Sequence, residues 1–328
     1  MDIYFFLGKG GTGKTTVSAS FSVGLSYYNK NKNFLIASLD PAHNLGDAFD
    51  IELSNNIKKL TENLSAVEVD LEKMIKEYLN DLSKNLKNTY KYLTSFNLER
   101  YFDVLRYSPG IEENAVLESI KKFLNMNEFD ALIFDTPPTG ITTRVLALPK
   151  LTLMWTKRLM DIRRKILDRR KMVENVKGKT EAIIEDEVIT LTADEKEDQI
   201  MIELVSYSKE MEDLMKLFQS DLTKINIVTM PEDLALFETK RIIELLNKFK
   251  IKVNKIYLNK YLIFDNPPEV IKGKIIEQDR VIEKMREEIK NINIKDIPLL
   301  SQSPRGIEDL LKFYDNYILE WKQKVMKI

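Results

Sequence analysis

Cysteine is absent from the 328 residues, and histidine occurs once, as His43. The first absence removes disulfides, thiolate metal ligands and cysteine nucleophiles; the second removes any histidine-rich metal site. No apolar run comes near the ~18–20 residues needed to cross a bilayer. The chain opens on a strand-like run without the basic and apolar regions of a signal peptide, so a cytoplasmic location is the expectation. Neither sign of charge dominates. Fifty Lys and Arg stand against 51 Asp and Glu, and a net charge of −1 gives no general attraction to nucleic acid. No internal repeat is evident. A chain of this length buries a large core, either as one elaborated α/β domain or as a nucleotide domain with an inserted subdomain.

What is present begins at Gly8. Residues Gly8 to Thr16 read Gly-Lys-Gly-Gly-Thr-Gly-Lys-Thr-Thr, directly after the apolar run Ile3 to Leu7. This is a complete G-x-x-x-x-G-K-[ST] pattern, with a strand before it and helix-compatible residues after it. The backbone N–H groups of such a loop converge on phosphate oxygens. The helix opening near Gly13 adds its dipole, Lys14 supplies a mobile positive charge, and Thr15 would place a hydroxyl on Mg²⁺. Gly8, Gly10, Gly11, Thr12 and Thr16 complete the expected phosphate-binding set. A second lysine, Lys9, also flanks the glycines. Since Lys14 already serves a triphosphate from within the same turn, Lys9 is either a solvated loop lysine or the servant of a second site.

At least six short apolar runs have the look of parallel strands: Ile3 to Leu7, Phe34 to Leu39, Ala66 to Val69, Ala131 to Phe134, Ile225 to Thr229 and Val253 to Leu258. Helix-compatible segments separate them, so the fold class is α/β, with a doubly wound, mostly parallel sheet. Asp135 follows Ala-Leu-Ile-Phe, the position from which an aspartate orients Mg²⁺, commonly through its water shell. Asp40 opens Asp-Pro-Ala-His-Asn-Leu-Gly-Asp and is placed to orient, or take a proton from, the water that attacks the γ-phosphate. Each also has a plainer reading as a helix cap.

The chain resembles the Get3/ArsA ATPase family, a branch of the P-loop NTPases with the deviant Walker A loop shared by MinD and ParA. Four blocks carry the likeness: Gly8 to Thr16, Asp40 to Phe49 (DPAHNLGDAF), Asp135 to Pro149 (DTPPTGITTRVLALP) and Pro304 to Leu311 (PRGIEDLL). Weaker similarity at Pro109 to Glu113 and Glu238 to Arg241 extends it to about two thirds of the chain. The resemblance implies an ATP-hydrolysing homodimer using Mg²⁺, in which Lys9 crosses the interface to the partner's nucleotide and acts beside Lys14 and Asp40 in catalysis. It implies that Asp40 polarises water in the first switch and that Asp135 belongs to the second, with Thr15, Asp40 and Asp135 around the metal. It further implies that Asn259 reads the adenine and that the loop around Pro304 and Arg305 closes over the base. Relatives that staple the dimer with a C-x-x-C zinc site, or bind arsenite through thiols, use cysteines that this chain lacks, so no zinc is expected. Ile141 stands where the family often has histidine, and His43 is either a switch hydrogen-bonder or a satisfied loop histidine.

The expected core is 1–70, 123–150 and 224–328. Residues 71–122 and 151–223 form an expected helical insertion subdomain that would bind a client. Trp155, Leu159, Ile162 and Ile166 recur at helical spacing, and Ile200, Leu204, Met211, Met215 and Phe218 form a second stripe. Six of the twelve methionines, Met154, Met160, Met172, Met201, Met211 and Met215, fall in this insertion; such stripes serve a client groove or simply pack as core. Lys157 to Lys171 holds eight Lys and Arg and two Asp, whereas Glu174 to Asp198 holds nine acids and three lysines. The two halves could pair; alternatively the basic helix meets anionic headgroups while the acidic stretch moves as a lid. Tyr314, Tyr317, Ile318, Trp321, Val325 and Ile328 make a last stripe, read as docking on the sheet rather than as a membrane anchor.

The function expected first is a homodimeric Mg-ATPase that captures and targets the transmembrane segments of tail-anchored proteins, peripheral to a membrane carrying a receptor or channel. The alternatives are an arsenical or other anion-pump motor and a MinD/ParA-like positioning switch. No nucleic acid partner is expected.

Overall fold

The computed structural model describes residues 1–42, 44–89, 108–178, 181–184, 187–190 and 192–319. His43, Trp321, Val325 and Ile328 lie outside them. In chain order the strands are β1 (Asp2–Leu7), β2 (Phe34–Ser38), β3 (Lys58–Lys59), β4 (Leu64–Glu68), β5 (Ala131–Asp135), β6 (Glu181–Ile184), β7 (Glu187–Thr190), β8 (Thr223–Thr229), β9 (Val253–Tyr261) and β10 (Asn293–Pro298). The helices are α1 (Lys14–Tyr28), α2 (Leu45–Phe49), α3 (Leu71–Thr89), α4 (Ile111–Leu124), α5 (Thr139–Lys177), α6 (Gln199–Gln219), α7 (Asp233–Lys248), α8 (Glu269–Glu288) and α9 (Gly306–Phe313), which runs on into a π-helical turn at Tyr314–Ile318.

Eight strands make one sheet in the order β10-β9-β8-β1-β5-β2-β4-β3, parallel except for β3. From β1 the chain moves outward through β2 and β4, returns to insert β5 beside β1, and then builds β8, β9 and β10 on the other side. The winding therefore reverses at β1 and β5, and the carboxyl ends of those strands flank a crevice, the place where open α/β sheets take ligands. All six expected strands are present. β10 escaped the sequence reading because it is an edge strand carrying Lys295 and Asp296 among its apolar residues, which breaks the run used as a signal.

The chain divides into two compact units. The first comprises Met1–Leu71, Ser119–Arg144 and Gln219–Ile328; the second comprises Glu72–Glu118 and Val145–Phe218. In the first unit α1 is buried on most of its surface, and small residues make that possible. Ser18, Ser22 and Ser26 are buried, the first two donating to their own helix at Thr15 O and Ala19 O and the third to Asn63 Oδ1. Gly24 faces Tyr314, and a Cβ there would lie 2.2 Å from the ring. Tyr28 donates to Asp315 at 2.5 Å, and Tyr314, Ile318 and Leu319 are buried in the same core as Phe6 and Tyr257. The described part of the last stripe thus docks on the α/β unit. Gly24→Ala is expected to lower stability by about 1–3 kcal/mol through overpacking; thermal denaturation that leaves the midpoint unchanged would refute the close approach.

In the second unit Met201, Met211, Leu214 and Phe218 of α6 are core, whereas Met154 and Met172 of α5 are exposed. The methionine set therefore divides between packing and surface. Besides the expected helices, the segment 151–223 holds strands, since β6 and β7 pair as an antiparallel hairpin. Glu181-Ala-Ile-Ile and Glu187-Val-Ile-Thr are short β-branched runs, which a count of charges across the whole stretch concealed. Basic and acidic halves do meet in part. Arg163 makes a two-pronged contact with Asp198 at 2.9 and 2.6 Å, Arg164 reaches Glu195 at 3.0 Å, and Arg170 donates to Thr192 O. Burial raises the proton affinity of Asp198, but Arg163 and the Met201 N–H outweigh it and hold the carboxyl below its ordinary range.

Candidate nucleotide site

Three strand ends meet at the crevice. Asp135, the last residue of β5, stands in register with Phe6 on one side and Ser38 on the other. The Leu39 N–H donates to Asp135 O at 2.8 Å, extending the ladder one residue past β2 and delivering Asp40 to the rim. Asp40 is held in an Asx turn by the Ala42 N–H, 3.1 Å from its Oδ1.

Between β1 and α1 the chain makes the phosphate loop. Gly13 sits at φ 92°, and a Cβ there would lie 2.3 Å from Asn259 Nδ2, so both backbone and neighbour require glycine. α1 begins at Lys14, which leaves the first-turn N–H groups without helical acceptors at the mouth of the site. A cavity of about 480 Å³ opens there. Gly10, Gly11, Gly13, Lys14, Thr15 and Thr16 line it from the loop; Asp40, Asn44 and Asp47 line it from the segment after β2. Pro138, Ser303, Pro304 and Arg305 close the remaining side. Of the residues expected at the site, Gly8 and Thr12 are buried beneath the loop, and Lys9 is exposed and does not line the cavity.

Asn259 does not line it either. Its Nδ2 donates to Thr12 O at 2.8 Å and its Oδ1 accepts from the Lys260 N–H at 2.9 Å, so both ends of the amide are engaged in bracing the loop. Lys260 was not foreseen. It adopts φ 63° and its ammonium donates to Gly11 O at 2.6 Å, so consecutive residues hold consecutive loop carbonyls. Fixing those carbonyls fixes the peptide planes whose N–H groups a phosphate would meet. Glu68, also unforeseen, is buried and accepts the Gly46 N–H at 2.8 Å, bracing α2 and with it Asp47. Lys260→Gly keeps the left-handed backbone and removes the ammonium; nucleotide titration should show about 3- to 10-fold weaker ATP binding, the cost of one hydrogen bond. Unchanged affinity would mean that the contact positions nothing.

Charge is concentrated in a small space. Lys14 Nζ lies 3.6 Å from Asp40 Oδ2, with the two side chains 5% and 13% exposed. Thr15 Oγ1 donates to Asp135 Oδ2 at 2.8 Å, while Asp135 Oδ1 is buried without a hydrogen-bond partner. Burial pushes Asp135 up to about 6; Lys14 and the Thr15 and Ser38 hydroxyls pull it down, and Asp40 adds to the rise. The orphaned carboxylate oxygen beside a threonine hydroxyl fits the hydration shell of Mg²⁺. Among the described residues no three acidic or histidine side chains cluster to cage a metal.

The profile of the anion-transporting ATPases matches residues 1–318. The chain belongs to that family. It is 30% identical to a candidate arsenical pump-driving ATPase of Aquifex aeolicus (strain VF5), over 95% of this chain and 98% of the relative. It is equally 30% identical to ATPase GET3 of Komagataella phaffii, over 96% of this chain and 89% of the relative. With a candidate arsenical pump-driving ATPase of Chlorobaculum tepidum the identity is 32%, over 95% of this chain and 74% of the relative. Family membership makes the protein a nucleotide-binding ATPase; the phosphate loop and Asp40 line one cavity, and Asp135 is buried behind it, joined by a hydrogen bond to the cavity-lining Thr15.

Proposed function

We propose that the protein is a homodimeric, Mg²⁺-dependent ATPase that captures apolar transmembrane segments of tail-anchored proteins and releases them according to its nucleotide state. The observation that carries the capture step is the outer face of α5. There Trp155 is 71% exposed, and Leu159, Ile162 and Ile166 are each between 42% and 49% exposed. A soluble-facing stripe of this kind on a helix is the form in which apolar segments are recognised helix to groove. Absence of cysteine removes the thiol site through which a metalloid would stimulate a pump motor.

At the nucleotide, the loop N–H groups and Lys14 bind the phosphates, and Lys9, exposed at the tip, is free to reach a second protomer's nucleotide. Thr15 directly, and Asp40 and Asp135 through water, would hold Mg²⁺, which when bound supplies charge neutralisation across the transferred phosphoryl group. Asp40 orients the attacking water and accepts its proton. Pro304 and Arg305 close over the base, and Asn259 acts through the loop it braces.

The test is co-expression of the Asp40→Asn protein with a tail-anchored segment, against an equally long segment interrupted by arginine. Soluble capture that requires the intact segment and Mg-ATP is expected. A folded, nucleotide-bound protein that ignores both segments would overturn the targeting reading and leave the ATPase standing.

A further inference from the structure

The stripe on α5 has a neighbour that an apolar client does not explain. Arg158, Lys165 and Arg169, spaced by seven and four residues, fall in a row along one edge of the exposed face that holds Trp155, Leu159, Ile162, Ile166 and Val173. All three cations are exposed, and none has an ion pair among the described residues. They differ in this from Arg163, Arg164 and Arg170, which the acidic segment occupies. Of the acids of the same stretch, Asp161 and Asp168 border the basic edge one turn from Lys165, Asp161 being paired with Arg164, and Glu174 lies away from it. The result is a sector with apolar side chains and positive charge, with two acids at its border, continuing to Val176, which is 83% exposed. From Leu151 to Val176 it extends about 39 Å at 1.5 Å per residue.

An apolar segment seated on the stripe gives these three cations no partner, and covering them would desolvate charge without return. A lipid surface treats the two kinds of side chain differently and suits both. Acyl chains take the apolar stripe to a shallow depth, while long basic side chains reach back to headgroup phosphates. We infer that this face of α5 docks on an anionic lipid bilayer, with Arg158, Lys165 and Arg169 on the headgroups and Trp155 at the interface. The docking does not rest on the client reading. If both hold, one helix face serves the segment in solution and the bilayer at delivery, so the two occupants compete for the stripe while only the bilayer uses the cations.

The experiment is flotation of the full-length protein with vesicles of phosphatidylcholine alone and of phosphatidylcholine mixed with phosphatidylserine. Binding is expected only with phosphatidylserine, falling as salt is raised. With each cation contributing about fivefold at the surface, the triple change Arg158→Gln, Lys165→Gln, Arg169→Gln should weaken binding on the order of 100-fold. Lys157→Gln with Lys171→Gln, on other faces of the helix, should leave binding nearly intact. In a Trp321→Phe background, Trp155 emission should shift to the blue with the anionic vesicles alone. The triple variant should hydrolyse ATP and capture a tail-anchored segment in solution as before, so failure of the client reading shows separately. Binding that survives the triple change, equal binding to neutral vesicles, or no binding to either would overturn the inference.

Discussion

Asp40→Asn lowers the turnover of ATP by on the order of 10²- to 10⁴-fold, the range for loss of a positioned proton acceptor, and leaves ATP bound about as tightly as before. Asparagine has the shape of aspartate, and its Oδ1 can still accept the Ala42 N–H that holds the turn at 3.1 Å. The change therefore removes charge and basicity and keeps geometry. Lys14, 5% exposed and 3.6 Å from Asp40 Oδ2, loses its counter-ion and becomes wholly available to phosphate, so affinity should hold or rise slightly. A fall in kcat with a steady dissociation constant marks an interaction made in the transition state. Turnover within tenfold of wild type would remove Asp40 from the catalytic role, and a large loss of affinity would make it a binding residue instead.

Asp135→Asn should act in opposite directions on stability and on activity. In the nucleotide-free protein the buried carboxyl is raised from 3.8 to about 6, chiefly by desolvation. A raised carboxyl means that the folded state holds its proton more tightly than the unfolded one. The ionised side chain therefore starts to cost stability above about pH 4, and the full cost is present above about pH 6. Two units correspond to about 3 kcal/mol, taken as an upper bound. The asparagine variant should match wild type near pH 4, gain on it between pH 4 and 6, and hold an advantage of about 1–3 kcal/mol beyond. Its hydrolysis should fall at least 10²-fold if, as proposed, the carboxylate that accepts from Thr15 also orients the water shell of Mg²⁺. Thermal melts across this pH range decide the matter, and an asparagine variant no more stable than wild type at pH 7.5 would contradict the assigned burial cost.

Legibility in the sequence followed the strength of the local signal. The phosphate loop and the six central strands were readable because each is a contiguous pattern: fixed glycines, or a fully apolar run buried on both faces of a parallel sheet. Asp40, Asp135, Pro304 and Arg305 could be named from strand ends and family blocks; the fold brings Asp40, Pro304 and Arg305 to one cavity and sets Asp135 behind it, against Thr15. Lys260 could not be named, because its role comes from a left-handed backbone at φ 63° in a residue type that normally avoids it, and no periodicity announces that. The resemblance implies an adenine contact for Asn259, and its amide holds Thr12 O; an asparagine in a sequence does not say which way it points. Glu68 sits at the end of β4 and looked like any strand terminus. The β6–β7 hairpin was hidden under the charge count of its neighbours, and β10 under the mixed composition of a sheet edge.

The proposed function couples nucleotide state to apolar-segment binding in one protein. Coupling of this kind is reciprocal: if ATP raises affinity for the segment by some factor, the segment raises affinity for ATP by the same factor. The decisive measurement uses the Asp40→Asn protein, titrating a tail-anchored segment with ATP and with ADP present, and then ATP with and without the segment. Such coupling should appear as at least about tenfold tighter segment binding with ATP, a typical allosteric magnitude, and an equal gain in ATP affinity. Equal segment affinity in both nucleotide states would contradict it.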